Sequence, residues 1–331
     1  MRSYAIAFLG FGNVAKALVR LLESRRSELA SRYGFRYTIT GVATRTLGWR
    51  ANAGGLTPNA SPLDGTTCYD IGDWLLTARP DVVFESIALD PHTGQPALDY
   101  LSEALRAGAH VVSANKGPVV HGYRELSALA ESRARLYRFE AAVMDGAPVF
   151  SLVRRCLPLA GIRAVSGVFT STATVVLEAI ERGASTEDGI AEAQALGITE
   201  ADPSYDVDGW DSVMKVCAVS RVILKTPLLP GAVRREGIRG LEPRTLQAAR
   251  AEGKPYKLLT RATVNADGSV NAVVRPEQIA VTDPLGNVRG TSLAIHFELD
   301  TIPGLTIVSH RPNLQSTAYG LLADFINAVR K

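Results

Sequence analysis

Residues Tyr4–Ala15 read YAIAFLGFGNVA. The apolar run Tyr4–Leu9 passes straight into Gly10-Phe11-Gly12-Asn13-Val14-Ala15, and from Val14 to about Leu29 apolar residues recur at helical spacing (Val14, Leu18, Leu21, Leu22). Strand, glycine turn and helix in that order give a G-x-G-x-x-A pattern its meaning. The first glycine permits the tight turn, and the second lets the backbone approach a pyrophosphate seated on the helix N-terminus. Glycine turns after strands are common, so the motif counts only through its flanks. Gly10, Gly12, Asn13 and Val14 are the candidate dinucleotide contacts.

Outward from this turn, strands and helices alternate. A second strand, Tyr37–Ala43, delivers Thr44-Arg45-Thr46 to its C-terminal end. An acidic residue there would hold the ribose hydroxyls of NAD. This chain has Arg45 instead, with Arg50 near it, which suits the 2′-phosphate of NADP or is an ordinary surface arginine. Residues 47–66 read as a loop. Asp81–Glu85 leads to a helix around Pro96–Ala107, His110–Ser113 leads to one around Tyr123–Arg133, and Leu136–Val143 reads as a further strand. The expected fold class is α/β: a Rossmann-type doubly wound parallel sheet, followed by an α+β substrate or dimerisation domain. Ligands in such sheets sit at strand C-termini, which places Ser86 and Asn115-Lys116 beside the glycine turn. Lys116 then faces the nicotinamide end of the site or simply starts a surface loop.

The pattern changes after Gly146. A helix (Val149–Leu159), a strand (Ile162–Thr170) and two short helices around Gly183-Ala184-Ser185 follow; Ser185 and Asp188 fit a capping box. From Lys257 to Ile307 the strands alternate, with a hairpin expected at Ala266-Asp267-Gly268, and a last helix, Ser316–Val329, returns to the first domain. The expected domains are 1–146 with the returning segment 308–331, and 147–307.

Between these parts lies Thr199–Lys215, TEADPSYDVDGWDSVMK. Pro203 and Gly209 break its first half, and Trp210 opens a helix. Asp211 and Lys215 are spaced i, i+4 and share a face. A solvated loop ending in a surface ion pair would read the same. The residues that follow, Val213, Met214, Val216, Cys217 and Val219, are apolar, however. A helix that apolar is buried, so its charges face a cleft.

Bulk properties exclude several functions. Lys plus Arg exceeds Asp plus Glu by three (36 against 33), without the basic stripe that nucleic acids require. Cys68, Cys156 and Cys217 form no framework, which points to reduced thiols in the cytoplasm. No signal-like start, transmembrane-length run or histidine metal spacing is present, so membrane and transition-metal functions are not expected.

Four segments carry a resemblance over nearly the whole chain: GFGNVA, VFES with GQPALDYLSEALRAGAHVVSANKGPV, FEAAVMDGAP, and AQALGITEADPSYDVDGWDSVMK. Together they resemble homoserine dehydrogenase in its short form, with no kinase domain in front and no regulatory domain behind. That family interconverts L-homoserine and L-aspartate 4-semialdehyde with NAD(P)H, on the route to threonine and methionine, as a cytoplasmic homodimer. The resemblance implies Lys215 as acid/base, Lys116 as the second lysine at the reacting centre, and Asp211 orienting Lys215. It also implies Glu200 and Asp206 on the substrate ammonium and Thr172 as a substrate contact. A monovalent cation, usually sodium, would be held by Glu140 with Val143, Asp145 and Ala147.

The chain departs from the family at Thr170–Thr174, where Asn-Gly-Thr-Thr-Asn is usual. It departs again at Ser309–Asn313, where a glycine-rich loop is usual, and at Leu293-Ala294. Two alternatives stay open: the same chemistry on another small amino or hydroxy acid, and an NADP sensor without turnover.

Overall fold

A computed structural model describes residues 1–57, 64–199 and 202–330. The chain opens with β1 (Arg2–Leu9), α1 (Asn13–Ser24), α2 (Arg26–Tyr33), β2 (Phe35–Thr44), β3 (Gly48–Ala51), β4 (Thr66–Cys68), α3 (Ile71–Ala78) and β5 (Val82–Glu85). There follow α4 (Ala97–Arg106), β6 (His110–Ser113), α5 (Lys116–Ser132), β7 (Tyr137–Arg138) and α6 (Ala141–Met144). Next come α7 (Val149–Cys156), β8 (Ile162–Val168), α8 (Ser171–Glu181), α9 (Thr186–Ala195), α10 (Ser204–Val207), α11 (Trp210–Val222), β9 (Arg234–Arg235) and α12 (Pro243–Ala251). The chain closes with β10 (Tyr256–Val264), β11 (Val270–Gln278), β12 (Leu293–Leu299), β13 (Leu305–Ser309) and α13 (Leu314–Val329). These elements form two compact units, Met1–Gly146 with Leu314–Lys331, and Ala147–Asn313.

In the first unit the strand order is β4-β3-β2-β1-β5-β6-β7, parallel from β2 to β7 with β3 and β4 antiparallel at the edge. The chain runs from β1 to β2 on one side and returns to β5 on the other. The switch point therefore lies at the C-terminal ends of β1 and β5, where such sheets bind ligands. All of Val82–Glu85 is buried, as expected of a central parallel strand covered on both faces. Helix α13 packs on this unit through Phe325, whose ring meets Phe84 edge-on at 5.5 Å, and Tyr4 Oη donates to the Val329 carbonyl (3.2 Å).

The second unit holds a sheet of order β13-β12-β8-β10-β11-β9, antiparallel except for β11–β9. The β10–β11 turn closes on Gly268 at φ 80°, whose N–H donates to Asn265 O (2.9 Å). Val168, Leu259, Leu285, Val288 and Ala294 pack together in this unit.

Several expectations are corrected. The first helix breaks at Arg25 (φ −104°, ψ 8°), and α2 buries only Leu29. Residues 48–51 are a strand between β2 and the edge strand β4 rather than loop, with the Trp49 ring 5.6 Å from Trp74 on α3, a helix capped by Asp70. Helix α5 starts at Lys116, not Tyr123. Pro118 is tolerated in its first turn, and Gly122 leaves helical geometry where a Cβ would strike Leu98. The strand expected at 136–143 stops at Arg138. From there Glu140 N–H donates to Asp324 Oδ2 (2.7 Å) and the chain turns into α6. The returning segment begins at Leu314 rather than 308, because Leu305–Ser309 pair with β12. Helix α12, unmarked in the sequence, carries Pro243 in its first turn.

Candidate active site

The glycine turn is built by close packing. Gly10 sits at φ 86°, and a Cβ there would lie 2.7 Å from Ser86 O and 3.0 Å from Ile87 N. The exits of β1 and β5 thus press together in a way only glycine allows. A Cβ on Gly12 would meet nothing within 4 Å. Its role is therefore open approach to the start of α1, where Gly12 is the N-cap and no side chain caps the helix. The first-turn N–H groups of that helix, beginning at Asn13 and Val14, are free of intrahelical partners and suit a pyrophosphate.

Arg45 is exposed in the turn between β2 and β3. Thr44 and Thr46 flank it with hydroxyls 3.4 Å apart. Arg50, grouped with it in the sequence, is instead engaged on β3 with Thr67 of β4.

At the exits of β5 and β6 lies a feature the sequence signalled only as a charge ending an apolar strand. Glu85 is fully buried. Ser113 Oγ donates to its Oε2 (2.5 Å), while Ile87 N (2.9 Å) and Asn115 Nδ2 (3.2 Å) donate to Oε1. Burial pushes its pKa up, against these hydrogen bonds. Asn115 N-caps α5 by accepting from Gly117 N (2.9 Å), and the half-buried Lys116 is the first helical residue.

In the second unit the acidic stretch folds into α10 and α11, joined at Gly209 (φ 84°). Lys215 Nζ lies 2.7 Å from Asp211 Oδ2, with the two side chains 13% and 12% exposed, and donates to Phe169 O at the end of β8 (2.6 Å). Beside this pair Asp206 accepts from three threonines: Thr170 on Oδ1 (3.3 Å), and Thr172 and Thr199 on Oδ2 (3.0 Å each). The Thr172 hydroxyl, expected as a substrate contact, lies within hydrogen-bond distance of both Asp206 Oδ2 and Ile198 O (3.2 Å), which compete for its single proton. A carboxylate has about four lone-pair sites, and among the described residues only Thr170 donates to Oδ1. Burial and then the Asp211 charge push the Asp206 pKa up. A bound cation would relieve that. Glu200 lies outside the described residues. Thr170, Thr199 and Tyr205 lie in stretches the sequence marked but were given no role of their own there; the Tyr205 hydroxyl is buried near Asp211 and Asp206 with no hydrogen-bond partner among the described residues.

The proposed cation ligands divide between the units. Glu140 is 7% exposed at the start of α6, and Asp145 ends that helix at φ 55° while accepting from Thr317 Oγ1 (2.7 Å). Helix α6, of four residues, leaves its last carbonyls, Val143 among them, without helical partners. Such hard oxygen donors fit an alkali cation. Ala147, at the start of the second unit, accepts from Val149 N (2.8 Å).

The second unit also contains a cavity of about 710 Å³ lined by Asn287, Arg289, Ser292, His310 and Arg311, among others. Arg311 holds φ 49°, a conformation costly for a side chain, in the loop where the resembled family carries glycines.

Two family models match the chain: "Homoserine dehydrogenase" over residues 148–326, and "Homoserine dehydrogenase, NAD binding domain" over residues 10–140. The chain is 32% identical to the NAD(+)-dependent homoserine dehydrogenase of Pseudomonas canavaninivorans, over 99% of this chain and 96% of the relative. It is 28% identical to the homoserine dehydrogenase of Sulfurisphaera tokodaii, over 97% of each. Among solved structures, a homoserine dehydrogenase from Thiobacillus denitrificans superposes with a TM-score of 0.84 at 26% identity, over 99% of this chain and 73% of that one.

Proposed function

We propose that this chain, which belongs to the homoserine dehydrogenase family, moves its proton with Lys215 and holds the substrate ammonium on Asp206. It is an NAD(P)-dependent oxidoreductase of amino-acid biosynthesis that interconverts L-homoserine and L-aspartate 4-semialdehyde. When bound, the nicotinamide supplies or accepts the hydride. The observation that carries the residue assignment is the buried cluster of Asp211, Lys215 and Asp206, in which one lysine faces two carboxylates.

Reducing an aldehyde requires a proton for the nascent alkoxide, and a positioned donor near that oxygen both neutralises and delivers. Lys215 is held by Asp211 and by Phe169 O, so its Nζ is preorganised where a proton is to be delivered. Asp206, held by threonine hydroxyls on both of its oxygens, suits an ammonium. Glu200 shares that role by resemblance. In the first unit Gly10, Gly12, Asn13 and Val14 cradle the pyrophosphate, and Ser86, Asn115 and Lys116 line the nicotinamide end. Arg45, on an exit lacking any acidic residue, favours NADP. Glu140 with the carbonyls of Val143 and Asp145 offers the oxygen set for sodium; the resemblance adds Ala147. The protein acts in the cytoplasm as a homodimer paired through the second sheet, a state that light scattering checks directly. Among the described residues no helix is long and apolar enough to cross a membrane.

The substrate assignment is tested with a panel of amino and hydroxy acids assayed with NADP, including the analogue of homoserine that lacks the amino group. L-Homoserine is expected to turn over with a specificity constant below that of a typical family member. Substrates bearing a further acidic or polar group are expected to gain, because the altered loop adds the fixed positive charge of Arg311; Arg289 and His310 line the same cavity. If the deaminated analogue outperforms homoserine, Asp206 and Glu200 do not bind an ammonium. The same assay with sodium exchanged for a bulky organic cation is expected to lose activity; unchanged rates would remove the cation role of Glu140.

A further inference from the structure

We propose that Glu85 is a positioning residue that sets Asn115 and, through it, Lys116 for hydride transfer; this rests on the reading of Lys116 as a reacting-centre lysine. Glu85 occupies a place an apolar residue would fill at lower cost, since Val82, Val83 and Phe84 before it are equally buried. A buried carboxylate among neutral donors is expensive, which makes such a group a candidate for a functional role. What Glu85 accomplishes is visible in its partners. It ties the β5 exit, through Ile87 N, to the β6 exit, through Ser113 and Asn115. Ser113 Oγ in turn accepts from Asn115 N (3.0 Å).

The Asn115 side chain is clamped at both ends, with its amide nitrogen on Glu85 and its oxygen on Gly117 N. Gly117 is wedged so tightly that a Cβ would lie 3.0 Å from Gly94 Cα and 3.2 Å from Asp90 O. The backbone on both sides of Lys116 is therefore fixed, and its side chain departs from a defined point. The same carboxylate steadies Ser86-Ile87, against which Gly10 packs. Without the Glu85 oxygens, Asn115 is free to turn its amide, and the start of α5 loosens. An error of about 1 Å in a reacting group costs roughly 10²-fold in rate.

The test uses the full chain carrying Glu85→Ala, Glu85→Met, Glu85→Gln, Lys116→Ala and the double variant Glu85→Met with Lys116→Ala. Melting temperature, NADP dissociation constant and single-turnover hydride transfer are read for each. Glu85→Ala and Glu85→Met, whichever folds, are expected to slow hydride transfer by about 10- to 100-fold and leave NADP binding within about threefold. Glu85→Gln keeps one oxygen for Ile87 and Asn115 and is expected to recover most of the rate. The double variant is expected to be no slower than Lys116→Ala, since residues acting through one another are not additive. Losses that multiply in the double variant, or a wild-type rate in Glu85→Met, overturn the proposal. A wild-type rate in Lys116→Ala overturns the reading beneath it, and that outcome is distinct.

Discussion

Replacing Lys215 with alanine is expected to lower hydride transfer by roughly 10²- to 10⁴-fold and to leave cofactor binding nearly intact, the loss of a general acid. The residue belongs to the second unit and the glycine turn to the first, so Gly10, Gly12, Asn13 and Val14 are themselves unaltered by the substitution. Stability is a separate matter. Asp211 is 9% exposed, and removing its cation leaves a buried carboxylate, a loss of up to about 3–5 kcal/mol in fully buried pairs. The rate must therefore be taken per folded molecule, with circular dichroism as the control. Lys215→Arg separates charge from proton transfer: it can keep the pair with Asp211, but a guanidinium does not give up its proton. Both variants are expected to be slow, and the arginine variant to melt higher than the alanine one. Wild-type turnover in either would make Lys215 structural and misplace the site.

Arg45→Ala is expected to weaken NADP by about ten- to a hundredfold and NAD hardly at all, the scale of one charge-assisted phosphate contact. Arg45 stands exposed in the β2–β3 turn between Thr44 and Thr46, hydroxyls that could add donors to the same phosphate. Arg50 cannot substitute without leaving Thr67. Because an exposed contact is screened, the ratio of the two dissociation constants should narrow as salt rises. Isothermal titration with both cofactors decides the matter. Equal losses for NADP and NAD would mean that Arg45 does not read the 2′-phosphate, and would align this chain with its NAD(+)-dependent relative from Pseudomonas.

The sequence by itself determined the features that rest on local rules. The strand, glycine turn and helix at Tyr4–Ala15 announced a doubly wound sheet because each step has its own composition signal. The Asp211–Lys215 pair was legible because helical periodicity alone brings i and i+4 together, and the observed contact is 2.7 Å. Where periodicity had to compete with tertiary partners, local signals misled. Leu136–Val143 has strand composition, yet Glu140 turns the chain toward Asp324 on a helix 184 residues away. Only the tertiary structure decided how the candidate groups are held. Asp206 is oriented by Thr170, Thr172 and Thr199, and Glu85 gathers donors from two strand exits. Hydroxyls and amides at scattered positions form such sets only once β8, α8 and α10, or β5 and β6, are side by side, because a hydrogen bond depends on distance in space and not along the chain.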